Sequence, residues 1–296
     1  MKTENNILIA FLLNLFFAAF EFFGGIITGS IAIISDSIHD IGDAAGIGIS
    51  WLLEKKSKNS ANDIYTYGYA RYSVLGSLIT TTILIVGSLL VIYNSVLKIL
   101  TPCEINYDGM IIFAIVGVTV NSVAAFFTHA SQSLNQKAVH LHMLEDVLGW
   151  IIVLVGATFM KFTHFTIIDP IMSIGVAGFI TINAMKNLKI IFDIFLEKTP
   201  TGINLGEIKM HLSEIDGVSD IHHIHIWSLD TENNIATMHV VCDNVSHNIK
   251  DIIRQELKEH GIPHATIELE SSNEHCHEKN CHIECENNSS HHHHHH

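Results

Sequence analysis

Residues 29–43 read GSIAIISDSIHDIGD and set four ionisable side chains inside an apolar run. His39 and Asp43 stand four residues apart, and residues 141–146, LHMLED, repeat this pair as His142 and Asp146. Positions i and i+4 share one face of a helix, so each pair can present an imidazole beside a carboxylate. Because ionisable groups are costly at membrane depth, two matched pairs in apolar segments indicate a functional site.

Six apolar runs precede residue 195, and each approaches the roughly 20 residues that a membrane-spanning helix requires. They are Ile7–Thr28, Ile31–Leu53, Val74–Leu97, Met110–Thr128, Val139–Met160 and Ile168–Ile190. The sequence therefore predicts a membrane α-helical fold, with six transmembrane helices over residues 1–198.

After Pro200 the pattern changes to short, mixed segments in the order αββαβ. The predicted helices and strands are Asn204–Ile215, Ser219–Asp230, Ile235–Asp243, Ile249–Glu259 and Ala265–Leu269. They predict a small α+β cytoplasmic domain over residues 199–270. Residues 271–288 form a His/Cys-rich tail, and residues 289–296 read as a linker and purification tag.

The charge distribution limits the partners and predicts the orientation. The net charge is −14, and residues 197–288 hold 17 acidic against six basic side chains, which argues against binding nucleic acid. Lysines and arginines next to the apolar runs concentrate on one side, among them Lys55, Arg71 and Lys186. The positive-inside rule then predicts a multi-pass protein of the cell inner (cytoplasmic) membrane, with both termini in the cytoplasm.

The two His/Asp pairs have the ligand types of a zinc site. Two imidazoles and two carboxylates from facing helices make a tetrahedral His2Asp2 set, and the imidazoles favour Zn²⁺ over harder ions. Zinc needs neutral imidazoles and ionised carboxylates, so its binding competes with H⁺. A site that opens to each side in turn could therefore exchange Zn²⁺ for H⁺.

Four motifs carry a resemblance to a known family. Residues 29–43 and Leu141–Val147 resemble the second and fifth spans of the cation diffusion facilitator (CDF) zinc transporters, in their zinc-preferring branch. Tyr65–Arg71 is similar to the loop between spans two and three, and Ile221–Trp227 to the motif that opens the cytoplasmic domain. Ser73 departs from the family, since many members carry Glu at this place.

The resemblance implies a homodimer in the lipid bilayer, proton-coupled efflux of divalent cations and a metallochaperone-like cytoplasmic domain. It also implies a cytoplasmic metal site at His222, His239 and Glu270, which would bind regulatory Zn²⁺. In a regular strand, His222 would share a face with Ile226. In the tail, Cys276 and Cys281 offer thiolate ligands for Zn²⁺ or Cu⁺.

Several alternatives stay open at this point. The cargo could be Cd²⁺, Co²⁺ or Mn²⁺ rather than Zn²⁺. A membrane metal sensor without transport is a second alternative. An intramembrane zinc hydrolase is a third, although the sequence has no His-Glu-x-x-His motif and four protein ligands would leave no open position for water. The sequence favours a secondary active transporter and not an enzyme.

Overall fold

The computed structural model describes residues 3–28, 31–100, 107–129, 133–163, 168–243 and 248–272. They divide into two compact units: the first runs to Glu197 and includes Leu229–Glu232, and the second holds Lys198–Ser228 and the residues from Asn233 on. The first unit holds six long helices: α1 (Thr3–Thr28), α2 (Ile31–Ser57), α3 (Arg71–Leu100), α4 (Tyr107–Thr128), α5 (Leu134–Thr163) and α6 (Ile168–Phe195).

The helices of the first unit are long enough to cross a bilayer. The shortest, α4, has 22 residues, and at about 1.5 Å per residue it exceeds the hydrocarbon thickness of about 30 Å. Within the described residues, four helices qualify as spans by length and composition alone: Thr3–Gly24, Arg71–Leu97, Ile111–Thr128 and Leu134–Thr163. In α2, the acidic residues Asp36, Asp40 and Asp43 lower the apolar content.

The surface of the helical unit is apolar, as expected for contact with lipid. Phe16 of α1 is 66% exposed, Phe126 of α4 is 78% exposed and Ile182 of α6 is 60% exposed. The core of the bundle instead includes small or polar residues, such as Ala124, Ser77 and Asn121. Small side chains let membrane helices approach closely, and polar ones form hydrogen bonds between them.

The second unit is a three-stranded sheet with two helices. Its elements are α7 (Leu205–Ser213), β1 (Val218–Ser228), β2 (Asn234–Cys242), α8 (Ile249–Glu259) and β3 (His264–Ser271). The sheet order is β1-β2-β3, with β1 antiparallel and β3 parallel to β2. The predicted order αββαβ is therefore confirmed, with most boundaries moved by one or two residues.

The core of the second unit lies between the helices and one face of the sheet. In α8, Ile249, Ile253 and Leu257 recur every four residues and are buried, so this helix presents one apolar stripe to the sheet. They pack in one cluster with Ile208 and Leu212 of α7 and with sheet residues that include Ile221, Ile226, Met238 and Val240. This packing fixes both helices against the strands.

One strand expectation was wrong. A bulge between His222 and His225 places three steps of β1 opposite two steps of β2. His223, inside the bulge, has a φ of 50°, in the left-handed region. The extra residue reverses the alternation, so His222 pairs with His239 and lies on the face opposite to Ile226, which is in the core.

Candidate metal sites

The first candidate site lies between α2 and α5. Asp43 comes from α2, while His142 and Asp146 stand one turn apart on α5. The Nε2 atom of His142 is 3.7 Å from Oδ2 of Asp43 and 3.9 Å from Oδ2 of Asp146. One ligand atom from each of the three residues lies within 4.8 Å of the other two. Two carboxylates and an imidazole thus converge on one point inside the helical unit.

His39 is the fourth residue that the sequence assigned to this site. Its backbone belongs to α2, one helical turn before Asp43, so the helical period places both residues on the same face. The side chain of His39 lies outside the described part of the structure. Three of the four predicted ligands are therefore brought together, and the contribution of His39 stays a prediction.

Two residues of this site are shielded from solvent, while the side chain of Asp146 is 21% exposed. His142 is 4% exposed and Asp43 is 8% exposed. Among the described residues, neither ring nitrogen of His142 makes a hydrogen bond. Buried polar atoms are normally paired, because an unpaired one loses its hydration without compensation. An imidazole without a hydrogen bond, placed beside two carboxylates, is a donor set that fits a bound cation.

A polar cluster that the sequence did not indicate joins α2, α3 and α5 beyond Asp43. Glu54, only 4% exposed, accepts hydrogen bonds from Ser73 Oγ at 2.6 Å, Asn135 Nδ2 at 3.2 Å and Ser133 Oγ at 3.3 Å. Ser50 Oγ donates to the side-chain oxygen of Asn135. Glu54 follows the end of an apolar run, where an acidic residue usually faces water. Ser73, the departure from the family pattern, serves here as a donor to this carboxylate.

The second candidate site lies on the face of the sheet that points away from α7 and α8. His222 Nε2 is 3.3 Å from Glu270 Oε2, and His239 Nδ1 is 2.5 Å from Glu270 Oε1. Asp220 Oδ2 is 3.2 Å from the other nitrogen of His222. His222 is 8% and Glu270 6% exposed. The structure thus brings all three predicted residues together, and the bulge in β1 makes this possible.

The tail ligands Cys276 and Cys281 lie outside the described residues, as does His247, a further candidate for the second site. A third group, which the sequence analysis missed, consists of His211 in α7 with Glu256 and His260 of α8. Glu256 and His260 repeat the i, i+4 spacing of the membrane pairs, and this spacing is the signal that could have drawn attention to them.

Comparison with known proteins agrees with this architecture. Residues 7–196 match the model of the cation efflux transmembrane domain, and residues 200–272 match that of the cation efflux protein cytoplasmic domain. The two units of the structure therefore fold as a multi-pass membrane domain and its attached C-terminal domain. Together they define a class of membrane proteins that move cations.

The chain belongs to the cation efflux family, also called cation diffusion facilitators, and the predicted membership is confirmed. It is 30% identical over 293 residues to the zinc transporter ZitB of Escherichia coli, covering 96% of this chain and 93% of the relative. It is 29% identical over 274 residues to the cadmium, cobalt and zinc/H(+)-K(+) antiporter of Bacillus subtilis, covering 90% and 88%. The metal cation efflux system protein CzcD of Cupriavidus metallidurans is 28% identical over 274 residues, with 90% and 86% covered.

This membership decides one of the open alternatives. The protein is a transporter and not an enzyme, so the prediction of a transporter is confirmed and the alternative of an intramembrane hydrolase was wrong.

Proposed function

We propose that this protein exports Zn²⁺ from the cytoplasm in exchange for H⁺, through a site formed by His39, Asp43, His142 and Asp146. The observation that carries this proposal is the convergence of Asp43, His142 and Asp146 from two membrane helices. Imidazole nitrogen and carboxylate oxygen are both common zinc ligands. His39 completes a four-ligand set from its place one turn before Asp43.

Cation binding explains why such a costly group of side chains stays buried. Two carboxylates in a mostly buried site repel each other, and either protons or a cation must neutralise them. The distances of 3.7 and 3.9 Å from His142 Nε2 to the two carboxylates are longer than hydrogen bonds, which leaves room for an ion between them. A bound zinc would draw the ligand atoms inward to about 2.0–2.2 Å from the metal.

Proton coupling follows from the same ligands. The lone pair that an imidazole donates to zinc is the one that accepts a proton, so each ion expels the other. His142 has no competing hydrogen bond among the described residues, which leaves its nitrogens available for either ion. When the site faces the cytoplasm, zinc displaces the protons; when it faces outward, protons displace the zinc.

Zinc bound at the second site, in the C-terminal domain, would regulate transport. His222, His239 and Glu270 form a compact donor set on the face of the sheet that points away from α7 and α8. On the cytoplasmic side these residues would bind Zn²⁺ when its internal concentration rises, and Cys276 and Cys281 of the tail would deliver it. The matched cytoplasmic domain also supports a homodimer, located in the inner membrane with both termini in the cytoplasm.

Ion exchange in liposomes tests the proposed transport. The purified protein is reconstituted with a pH-sensitive dye inside, and zinc is added outside without an imposed potential. Exchange predicts that zinc entry releases protons from the lumen and that an imposed proton gradient drives zinc against its own gradient. Zinc entry without any change in internal pH would contradict the coupling, and a flat zinc level would contradict zinc as the cargo.

Other divalent cations form a second candidate cargo. The relative in Bacillus subtilis is named for cadmium and cobalt as well as zinc, and both ions accept mixed nitrogen and oxygen ligands. Competition in the same liposomes separates the candidates. Stronger inhibition of zinc flux by Cd²⁺ or Co²⁺ than by Mn²⁺ is expected from a site that contains two imidazoles.

A further inference from the structure

The geometry points to an additional metal site in the C-terminal domain, in which His211, Glu256 and His260 bind Zn²⁺ with water as the fourth ligand. We name it the α7–α8 site, after the two helices that supply its residues. It is separate from the group of His222, His239 and Glu270, which lies on the opposite face of the sheet. It also stands independently of the proposed transport, because none of its residues lies in the membrane unit.

The three ligand atoms form a small triangle. His211 Nδ1 is 2.9 Å from His260 Nε2 and 3.2 Å from Glu256 Oε1, and His260 Nε2 is 3.4 Å from Glu256 Oε1. A circle through these atoms has a radius of about 1.8 Å, so an ion slightly above their plane lies at the 2.0–2.1 Å that zinc prefers. This is the arrangement of three corners of a tetrahedral site, with the fourth corner toward solvent.

Protons satisfy this triangle less well than a metal ion does. Two imidazole nitrogens at 2.9 Å can share one proton. The nitrogen that accepts this proton has no hydrogen of its own to donate to the carboxylate oxygen of Glu256, which also offers only lone pairs. A divalent cation accepts a lone pair from all three atoms at once.

The local backbone also favours a cation here. His211 lies in the last turn of α7, and His260 is the C-cap residue of α8. Carbonyl groups at helix C-termini carry partial negative charge, and two such ends meet at this point. Gly261, with a φ of 78°, then turns the chain away from the helix axis.

The backbone positions of the three ligands are rigid, and the ligand side chains are accessible to solvent. Leu212 follows His211, and Leu257 follows Glu256; both leucines are 0% exposed in the core of the domain. The helical ligand positions are therefore held by packing and need little rearrangement on binding. The ligand side chains themselves are 22–40% exposed, so zinc can enter from solvent and exchange readily.

Hydrogen exchange of the full chain in detergent tests this site locally, which matters because the protein has other zinc ligands. Zinc is expected to slow amide exchange in the last turns of α7 and α8. This slowing should disappear in His211→Gln and in His260→Gln. It should persist in His264→Gln, a change at an exposed position of β3, and in His222→Gln, which removes the other site.

The pattern of amide hydrogen exchange without zinc shows whether each variant has kept the fold. If one of the two ligand variants fails to fold, the other still provides the test. Unchanged exchange of both helices with zinc would overturn the proposal. So would slowing that survives in both ligand variants, because zinc would then act on these helices from elsewhere.

Discussion

His142 Nε2 lies 3.7 Å from Oδ2 of Asp43, although the two residues are 99 positions apart and belong to different membrane helices. This contact brings Asp43 of the first His/Asp pair to both residues of the second pair. The spacing within each pair predicts only one helix face for each pair. The proposed cation-binding site rests on the convergence of these two faces.

Replacing His142 by Asp is expected to change the cation preference. The substitution removes a nitrogen ligand and adds a third carboxylate, which suits harder ions. Transport of Zn²⁺ should fall while transport of Mn²⁺ falls less or rises, as measured by competition in liposomes. His129→Asp is the control, because His129 is exposed just after α4. An unchanged zinc-to-manganese ratio in His142→Asp would argue against direct coordination by His142.

Glu54→Ala should destabilise the helical unit. The change leaves the donors of Ser73, Ser133 and Asn135 without their carboxylate, at a cost of about 1–3 kcal/mol for an orphaned buried group. Glu197→Ala is the matched control, since its 3.0 Å ion pair with Arg71 is exposed and worth at most about 1 kcal/mol. Thermal unfolding in detergent compares them, and equal losses would contradict the structural role of Glu54.

Gly117→Ala should destabilise the contact between α4 and α5. A Cβ atom at Gly117 would stand 2.5 Å from the ring of Trp150, and this rigid ring is itself in edge contact with Phe17. Overpacking of this kind costs about 1–3 kcal/mol. Gly178→Ala in α6 is the control, because a Cβ there has no neighbour within 4 Å. The melting temperature should fall only in Gly117→Ala. An unchanged melting temperature in this variant would mean that α4 and α5 separate easily to make room for the added methyl group.

Cys242 should react slowly with alkylating reagents in the folded protein. Burial raises the pKa of its thiol, and the charge of Asp243 adds to the effect. Less thiolate is then present at any pH near 8, and the thiolate is the reactive form. A variant with Cys242 as its single cysteine should react several-fold faster after denaturation. Equal rates before and after unfolding would show that the C-terminal end of β2 opens freely.

The sequence predicted the features that depend on local periodicity. The His/Asp spacing identified one face of α2 and one face of α5, because the helical period is fixed. The helix over Ile249–Glu259 was predicted with the same bounds that the structure has. The predicted alternation of side chains between the two faces of β1 was wrong at residues 222–225. The prediction assumed a regular strand, and a bulge leaves no periodic signal in the sequence.

Features that depend on which helices meet could not be predicted. In the sequence, Glu54 resembles a charged residue at the exposed end of an apolar helix. In the structure, it accepts hydrogen bonds from residues of α3 and α5. Likewise, His211 is 45 residues from Glu256 along the chain, and only the packing of α7 beside α8 brings them together. Such contacts arise from tertiary packing, which a single sequence without related sequences leaves undetermined.

The most direct test of the central claim is zinc flux through Asp43→Asn compared with Asp40→Asn in liposomes. Both changes remove one carboxylate from the same helix, but only Asp43 is grouped with His142 and Asp146. Asp43→Asn is expected to abolish zinc flux in a folded dimer, while Asp40→Asn keeps most of it. Undiminished flux in Asp43→Asn, or equal loss in both variants, would contradict the central claim.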